Sequence, residues 1–289
     1  MSESRSRFEP VERDSLDAEL DGARELTVSV RRYAGATIET ALDQVAHEAP
    51  LEIQIGGTGI AVVMRTPGHD EELALGFLLS ERVIRSPADV VSIHHCTTVP
   101  EPEAEGNVIR VVLAEGVAPP LERLRRNTYA SSSCGICGKA TIAAALEAGG
   151  VVCSDRVTRP AALFAMAERL RTAQPGFDLT GGLHAAGLFT VAGELRFARE
   201  DVGRHNAVDK VLGAAARAGI PLADHVLFVS GRIGFEIVQK AAACGVPLVA
   251  GISAPTSLAV RFGDALGVTV VGFVRGERLN VYSHPDRVV

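Results

Sequence analysis

Cys134 and Cys137 lie three positions apart in the run SSSCGICGK, residues 131–139, and a helix-forming run, KATIAAALEA, follows them. A helix starting near Cys137 would turn its N-terminal amides toward the sulfurs, and with Lys139 it would favour thiolate over thiol. Gly135 and Gly138 leave little side-chain bulk beside the pair. That suits a nucleophile reached by another protein or a large substrate. Three other chemistries use the same spacing. Structural zinc needs four closed ligands, and no second Cys-x-x-Cys follows downstream. Dithiol exchange usually places its pair near the leading strand of a compact unit, whereas this pair is mid-chain. His69-Asp70-Glu71 together with the two cysteines imitates a zinc deaminase, but Ser133 stands where that signature has proline, and a predicted sheet separates the halves.

Four further clusters could hold or process a ligand. Residues 200–210, EDVGRHNAVDK, crowd ionisable and amide side chains into a strand-to-helix transition. Arg204 and Lys210 could hold an anion there while His205 moves protons; a capped surface helix is the plainer reading. Ser230-Gly231-Arg232, Ser253 to Ser257, and Phe273 to Arg278 each follow a predicted strand. In an open α/β sheet ligands sit at such ends, so hydroxyls, amides and three arginines meeting there point to a phosphate-bearing ligand. His184 is balanced between a core and a site role. His94, His95 and Cys96 have no evident further metal ligand and read as structural, and Cys153 and Cys244 read as small buried residues.

The elements that must position these groups divide the chain. Residues 1–24 mix acids and arginines without apolar periodicity and read as a tail. Strands are expected at 26–33, 51–55, 59–65, 90–96 and 107–113, with a turn at Gly56-Gly57-Thr58 and a helix from Asp70 to Ser80. These make a smaller antiparallel-sheet N-terminal lobe over 25–128. From 129 to 289 Ala-rich helical windows (139–148, 160–173, 206–218) alternate with short apolar strands (183–191, 194–199, 225–230). The last third reads as strand 226–230, helix 234–244, strand 247–253, helix 256–266 and strand 268–274. The expected class is α/β (α+β overall), with a parallel core in the second lobe.

Composition narrows the function classes. The 289 residues are 47% hydrophobic and 22% charged, which excludes a wholly disordered chain. With 29 Lys and Arg against 35 Asp and Glu, the formal charge of -6 offers no field for nucleic acid. No stretch matches a membrane span or the apolar core of a signal peptide, so a cytoplasmic location without membrane attachment is expected. Five cysteines are too few and scattered for a disulfide framework and are expected to be reduced.

Cys134-Gly-Ile-Cys137, GGLHAAGLF at 181–189, EDVGRHNAVDKV at 200–211, SGRIGFEIVQKA at 230–241, SAPTSLAV at 253–260 and GFVRGER at 272–278 keep one order. Together with TPGHDEELALGFLLSE at 66–81, this set resembles the FdhD family of formate dehydrogenase accessory sulfurtransferases. The resemblance implies a homodimeric cytoplasmic enzyme with a cytidine deaminase-like C-terminal lobe and no zinc. It would carry persulfide sulfur from a cysteine desulfurase to the molybdenum cofactor, bis-molybdopterin guanine dinucleotide, needed by formate dehydrogenase. Cys134 would bear the persulfide and Cys137 would assist. The cofactor, bound as cargo, would lie on Phe273, Val274, Arg275, Gly276, Glu277 and Arg278. Arg204, Lys210 and Arg232 are additional contacts inferred from placement alone. The alternative is a cofactor-binding chaperone whose cysteines are structural or redox-sensing.

Overall fold

The computed structural model describes residues 23–96, 106–119 and 150–289. Cys134, Cys137 and the expected helix 139–148 lie outside the described residues.

Among the described residues β1 (Glu25–Ala34) and β2 (Thr37–Ala46) pair only with each other, as an antiparallel ribbon. β3 (Ala49–Ile55), β4 (Thr58–Arg65), β5 (Val90–His95) and β6 (Val108–Leu113) form a second sheet in the order β4-β3-β6-β5. Gly56 and Gly57, both at positive φ, make the two-residue β3–β4 loop that the expected turn requires. The sheet is not purely antiparallel as expected: β3 and β6 run parallel. The helix α1 (Asp70–Ser80) carries the chain across the sheet from β4 to β5, so β6 turns back alongside β3 in the same direction.

The C-terminal part holds α2 (Pro160–Thr172), α3 (Pro175–Thr180), β7 (His184–Thr190), β8 (Leu195–Asp201), α4 (Arg204–Arg217), β9 (His225–Val229), α5 (Phe235–Ala243), β10 (Leu248–Gly251), α6 (Ser257–Leu266), β11 (Thr269–Arg275) and β12 (Arg278–Ser283). Their sheet order is β12-β11-β10-β9-β7-β8. β9, β10 and β11 are parallel, as the alternating strand–helix pattern implies. Burial on both faces explains their unbroken apolar runs. Leu227 and Val249 pack with Val208, Val238 and Phe262 of α4, α5 and α6. Val226, Phe228 and Leu248 point the other way, onto Leu163, Met166 and Leu170 of α2. The period of two thus divides each strand between two helical layers.

α1 packs on α4 with the backbones touching. A Cβ on Gly76 would stand 1.8 Å from the Asp209 carbonyl oxygen, and one on Gly213 would stand 1.9 Å from that of Glu72. Glycine at both positions permits an approach that no other residue allows. Arg199 grips Glu72 with two hydrogen bonds (2.6 and 2.8 Å), and Arg217 pairs with Glu71. The four-stranded sheet, through its helix, is thereby fixed to the six-stranded one.

Candidate functional site

The carboxyl ends of β9, β10 and β11 open onto one edge, and the turns beyond them are stitched together. Ile233 N–H donates to the Ala254 carbonyl (3.1 Å), and Thr256 N–H donates back to Ile233 (3.0 Å). Phe273 N–H donates to the Ser253 carbonyl (3.1 Å), and Arg275 Nε reaches the Ile252 carbonyl (3.0 Å). Thr256 caps α6 by accepting from Ala259 N–H, so the middle turn is held from both sides. The three expected strand ends therefore do converge.

β11 and β12 close this edge. Gly276 and Glu277 form a two-residue hairpin loop between Arg275 and Arg278, with Gly276 at φ 53°. Phe273, Arg275, Gly276, Glu277, Arg278, Leu279 and Asn280 line a concavity of about 710 Å³. Val274 instead faces inward, 1% exposed, in the core against α2. Leu279 and Asn280 belong to β12, a strand the sequence reading did not assign. The RGER turn, with glycine at the first loop position, was the signal for it.

At the β9 end, Ser230 Oγ accepts from Ala185 N–H (2.9 Å) and Ser230 N–H donates to the Ala185 carbonyl (2.9 Å), bringing the start of β7 alongside. His184 packs against Gly231, where an added Cβ would lie 3.2 Å from the imidazole Nδ1. Burial, then Arg204 and Arg232, hold His184 below the ordinary histidine pKa. His184 is therefore a half-buried neutral ring on the floor of the edge. Arg232 is exposed at its rim.

Most of the 200–210 cluster is structural. Lys210 is fully buried, donates to the Thr66 carbonyl (2.7 Å) and pairs with Asp201 Oδ2 (2.7 Å). The expected anion contact at Lys210 is thus corrected: its ammonium is committed inside the protein and does not face a ligand. Asp201 also accepts from the N–H groups of Thr66 (3.1 Å) and Gly203 (2.8 Å) and from Asn206 Nδ2 (3.0 Å). Asn206 reaches the Met64 carbonyl (2.6 Å) as well. Glu200 receives the N–H groups of Gly176 and Phe177 at the start of α3. Lys240, one turn from Glu236, does not pair with it. It is buried and binds Asp209 (2.8 Å), Glu81 (3.0 Å) and Ser80 (2.9 Å).

His205 stands over this second cluster. Its Nε2 is buried without a hydrogen-bond partner among the described residues, 3.9 Å from Glu236 Oε2. Burial first, then Arg204 and Lys240, push its pKa down to about 3, against the opposing pull of Glu81. The group binds a proton more readily in the unfolded chain, so its contribution is present above pH 6.5 and is lost as pH falls toward 3. Between pH 7 and 5 the loss is about 2 kcal/mol at 1.36 kcal/mol per pH unit. Chemical denaturation at the two pH values should show this loss, and His205→Gln should remove most of it. His184 and His69, both lowered mainly by burial, contribute in the same direction.

Of the deaminase-like set, only the His69-Asp70-Glu71 half lies among the described residues: His69 Nδ1 faces Glu72 (3.4 Å) while Glu71 turns to Arg217. Among the described residues no group of three or more His, Cys, Asp or Glu side chains gathers as a metal site. His94 is exposed and Cys96 buried, so the two do not share an accessible face, and His95 lies 3.4 Å from Asp70. Cys244 is half-buried, with its thiol pushed up to about 12, chiefly by desolvation, and so is unreactive. No helix among the described residues is long and apolar enough to cross a membrane.

Fold and edge define a layered mixed α/β protein with Arg232, Arg275 and Arg278 exposed at its parallel strand ends. Residues 46–289 match the model of the FdhD/NarQ family. The chain is 47% identical over 266 residues to the sulfur carrier protein FdhD of Mycobacterium tuberculosis, covering 90% of this chain and 96% of that protein. It is 47% identical to the protein of the same name from Streptomyces coelicolor, covering 90% and 94%. A crystal structure described as a formate dehydrogenase accessory protein from Desulfotalea psychrophila shares the fold, with a TM-score of 0.72 at 23% identity over 92% of this chain and all of that one. The chain belongs to the FdhD/NarQ family.

Proposed function

We propose that this chain is a sulfurtransferase. It takes sulfur from the persulfide of a cysteine desulfurase and passes it to bis-molybdopterin guanine dinucleotide molybdenum cofactor, which formate dehydrogenase requires. The observation that carries the reading is the meeting of Ser230–Arg232, Ser253–Thr256 and Phe273–Arg278 at one edge, in a chain whose relatives bear a sulfur carrier name. Arg232, Arg275 and Arg278 supply the forked donors that phosphate groups accept. The six-stranded lobe is the part we assign to the deaminase-like fold.

The sulfur step is a thiol–persulfide exchange at Cys134. Its thiolate attacks the outer sulfur of the desulfurase persulfide, a new S–S bond forms, and the desulfurase cysteine leaves as thiolate. Cys137 assists by exchange with the loaded sulfur. The protein acts in the cytoplasm as a homodimer, meeting the desulfurase, the cofactor and formate dehydrogenase in turn.

Complementation of cells lacking the native chain tests this reading. Wild type should restore formate dehydrogenase activity, and Cys134→Ala should restore essentially none while accumulating normally. Full activity with Cys134→Ala would favour the alternative, a cofactor-binding chaperone without sulfur transfer.

A further inference from the structure

His205 and Glu236 stand in the first turns of two neighbouring helices, α4 and α5, which follow β8 and β9. Glu236 Oε2 folds back so closely over the start of α5 that a Cβ on Gly234 would lie 2.8 Å from it. The same oxygen is 3.9 Å from His205 Nε2, too far for a hydrogen bond, and that nitrogen is buried with no other partner among the described residues. Neither neutral form of the ring is served by this arrangement. With its hydrogen on Nδ1, the ring turns an acceptor toward a carboxylate; with its hydrogen on Nε2, a buried donor goes unmet. Only the imidazolium, donating from Nε2 to Glu236, would satisfy both groups.

The surroundings withhold that proton. Burial opposes any charge on the ring, and Arg204 beside it on α4, Lys240 on α5 and His184 on β7 oppose a further cation, while Glu81 after α1 pulls the other way. Asp209, one turn along α4, is committed to Lys240 and Ser80. Of the opposing groups, Arg204 and His184 belong to the ligand edge. Arg204 and Arg232 both act on His184, which packs on Gly231 at the end of β9. An anion received there would offset these positive fields and lift the opposition to charging His205.

We propose that a phosphate-bearing ligand arriving at this edge drives one proton from solvent onto His205 Nε2, and that the imidazolium then closes onto Glu236. The proton adds a positive charge beside the anion and ties the start of α4 to that of α5, so proton and ligand strengthen each other's binding. The inference rests on the reading that this edge receives the guanine-dinucleotide cofactor, and it makes occupation of that site depend on pH.

Calorimetry on the full chain with guanosine diphosphate as the probe, in two buffers of different ionisation heat, counts the protons taken up. At pH 6 wild type should take up about half a proton more per chain than His205→Gln, the nucleotide's own phosphate protons being common to both. Between pH 7.5 and pH 5 its Kd should tighten about tenfold relative to that variant. Glu236→Gln should lose most of the extra uptake. Nitrogen NMR of the wild-type chain gives a reading that no substitution disturbs: the His205 Nε2 resonance should move toward the imidazolium position when nucleotide is added at the same pH. Equal uptake by wild type and His205→Gln, or an Nε2 resonance unmoved at saturating nucleotide, overturns the proton link and leaves the phosphate edge standing. Undiminished uptake in Glu236→Gln overturns the closure onto Glu236. Wild-type chain that does not bind the nucleotide overturns the site reading, and the proton link with it.

Discussion

Lys210→Met should lose about 3–5 kcal/mol of folding stability, the usual consequence of removing one partner from a buried ion pair. Methionine keeps most of the volume, so the loss reports the charge left on Asp201 rather than a cavity. Asp201 and Lys210 are both fully buried, and around them Thr66, Gly203 and Asn206 tie β4, β8 and α4 together. A buried pair can often be exchanged whole for apolar residues with little loss. That remedy fails here. The double variant Asp201→Leu, Lys210→Met strands the Thr66 and Gly203 N–H groups and the Asn206 amide, each costing about 1–3 kcal/mol when left unmet. Urea denaturation of both variants checks this; a single variant within about 1 kcal/mol of wild type would show that the network is not structural.

Gly76→Ala should be destabilised by on the order of 3 kcal/mol, although alanine is the better helix former by about 1 kcal/mol. The methyl would enter the Asp209 carbonyl at 1.8 Å, and backbone cannot move aside as a flexible side chain can. Relief requires α1 and α4 to separate, which loosens the Ser80 and Lys240 bonds to Asp209 one turn along. Gly213→Ala should behave alike, by its approach to Glu72. Thermal melts of the two variants distinguish this from an ordinary helical glycine, for which the change would be stabilising.

The parallel core was legible because β9, β10 and β11 are short apolar runs separated by helices with strong apolar faces. β2 was not: TIETALDQVA exposes most of its residues, so it lacks the half-buried alternation by which a strand is recognised. The β3–β6 pairing joins residues more than fifty positions apart, and no local pattern encodes it. The 200–210 stretch announced importance by its density of polar groups, but composition does not tell a ligand cluster from a buried network. Lys210 belongs to the second kind because Thr66 and Asp201 meet its ammonium. At 273–278 the residue types were visible, whereas the left-handed backbone at Phe273 follows from a bulge in the β11–β12 pairing and had no sequence signal.

The most direct test of sulfur carriage is mass spectrometry of the chain after incubation with a cysteine desulfurase and cysteine, using wild type, Cys134→Ala and Cys137→Ala. The account predicts one added sulfur, about 32 Da, on the peptide containing Cys134, lost on reduction and absent from Cys134→Ala. No added sulfur on wild type with an active desulfurase, or undiminished loading of Cys134→Ala, would contradict it.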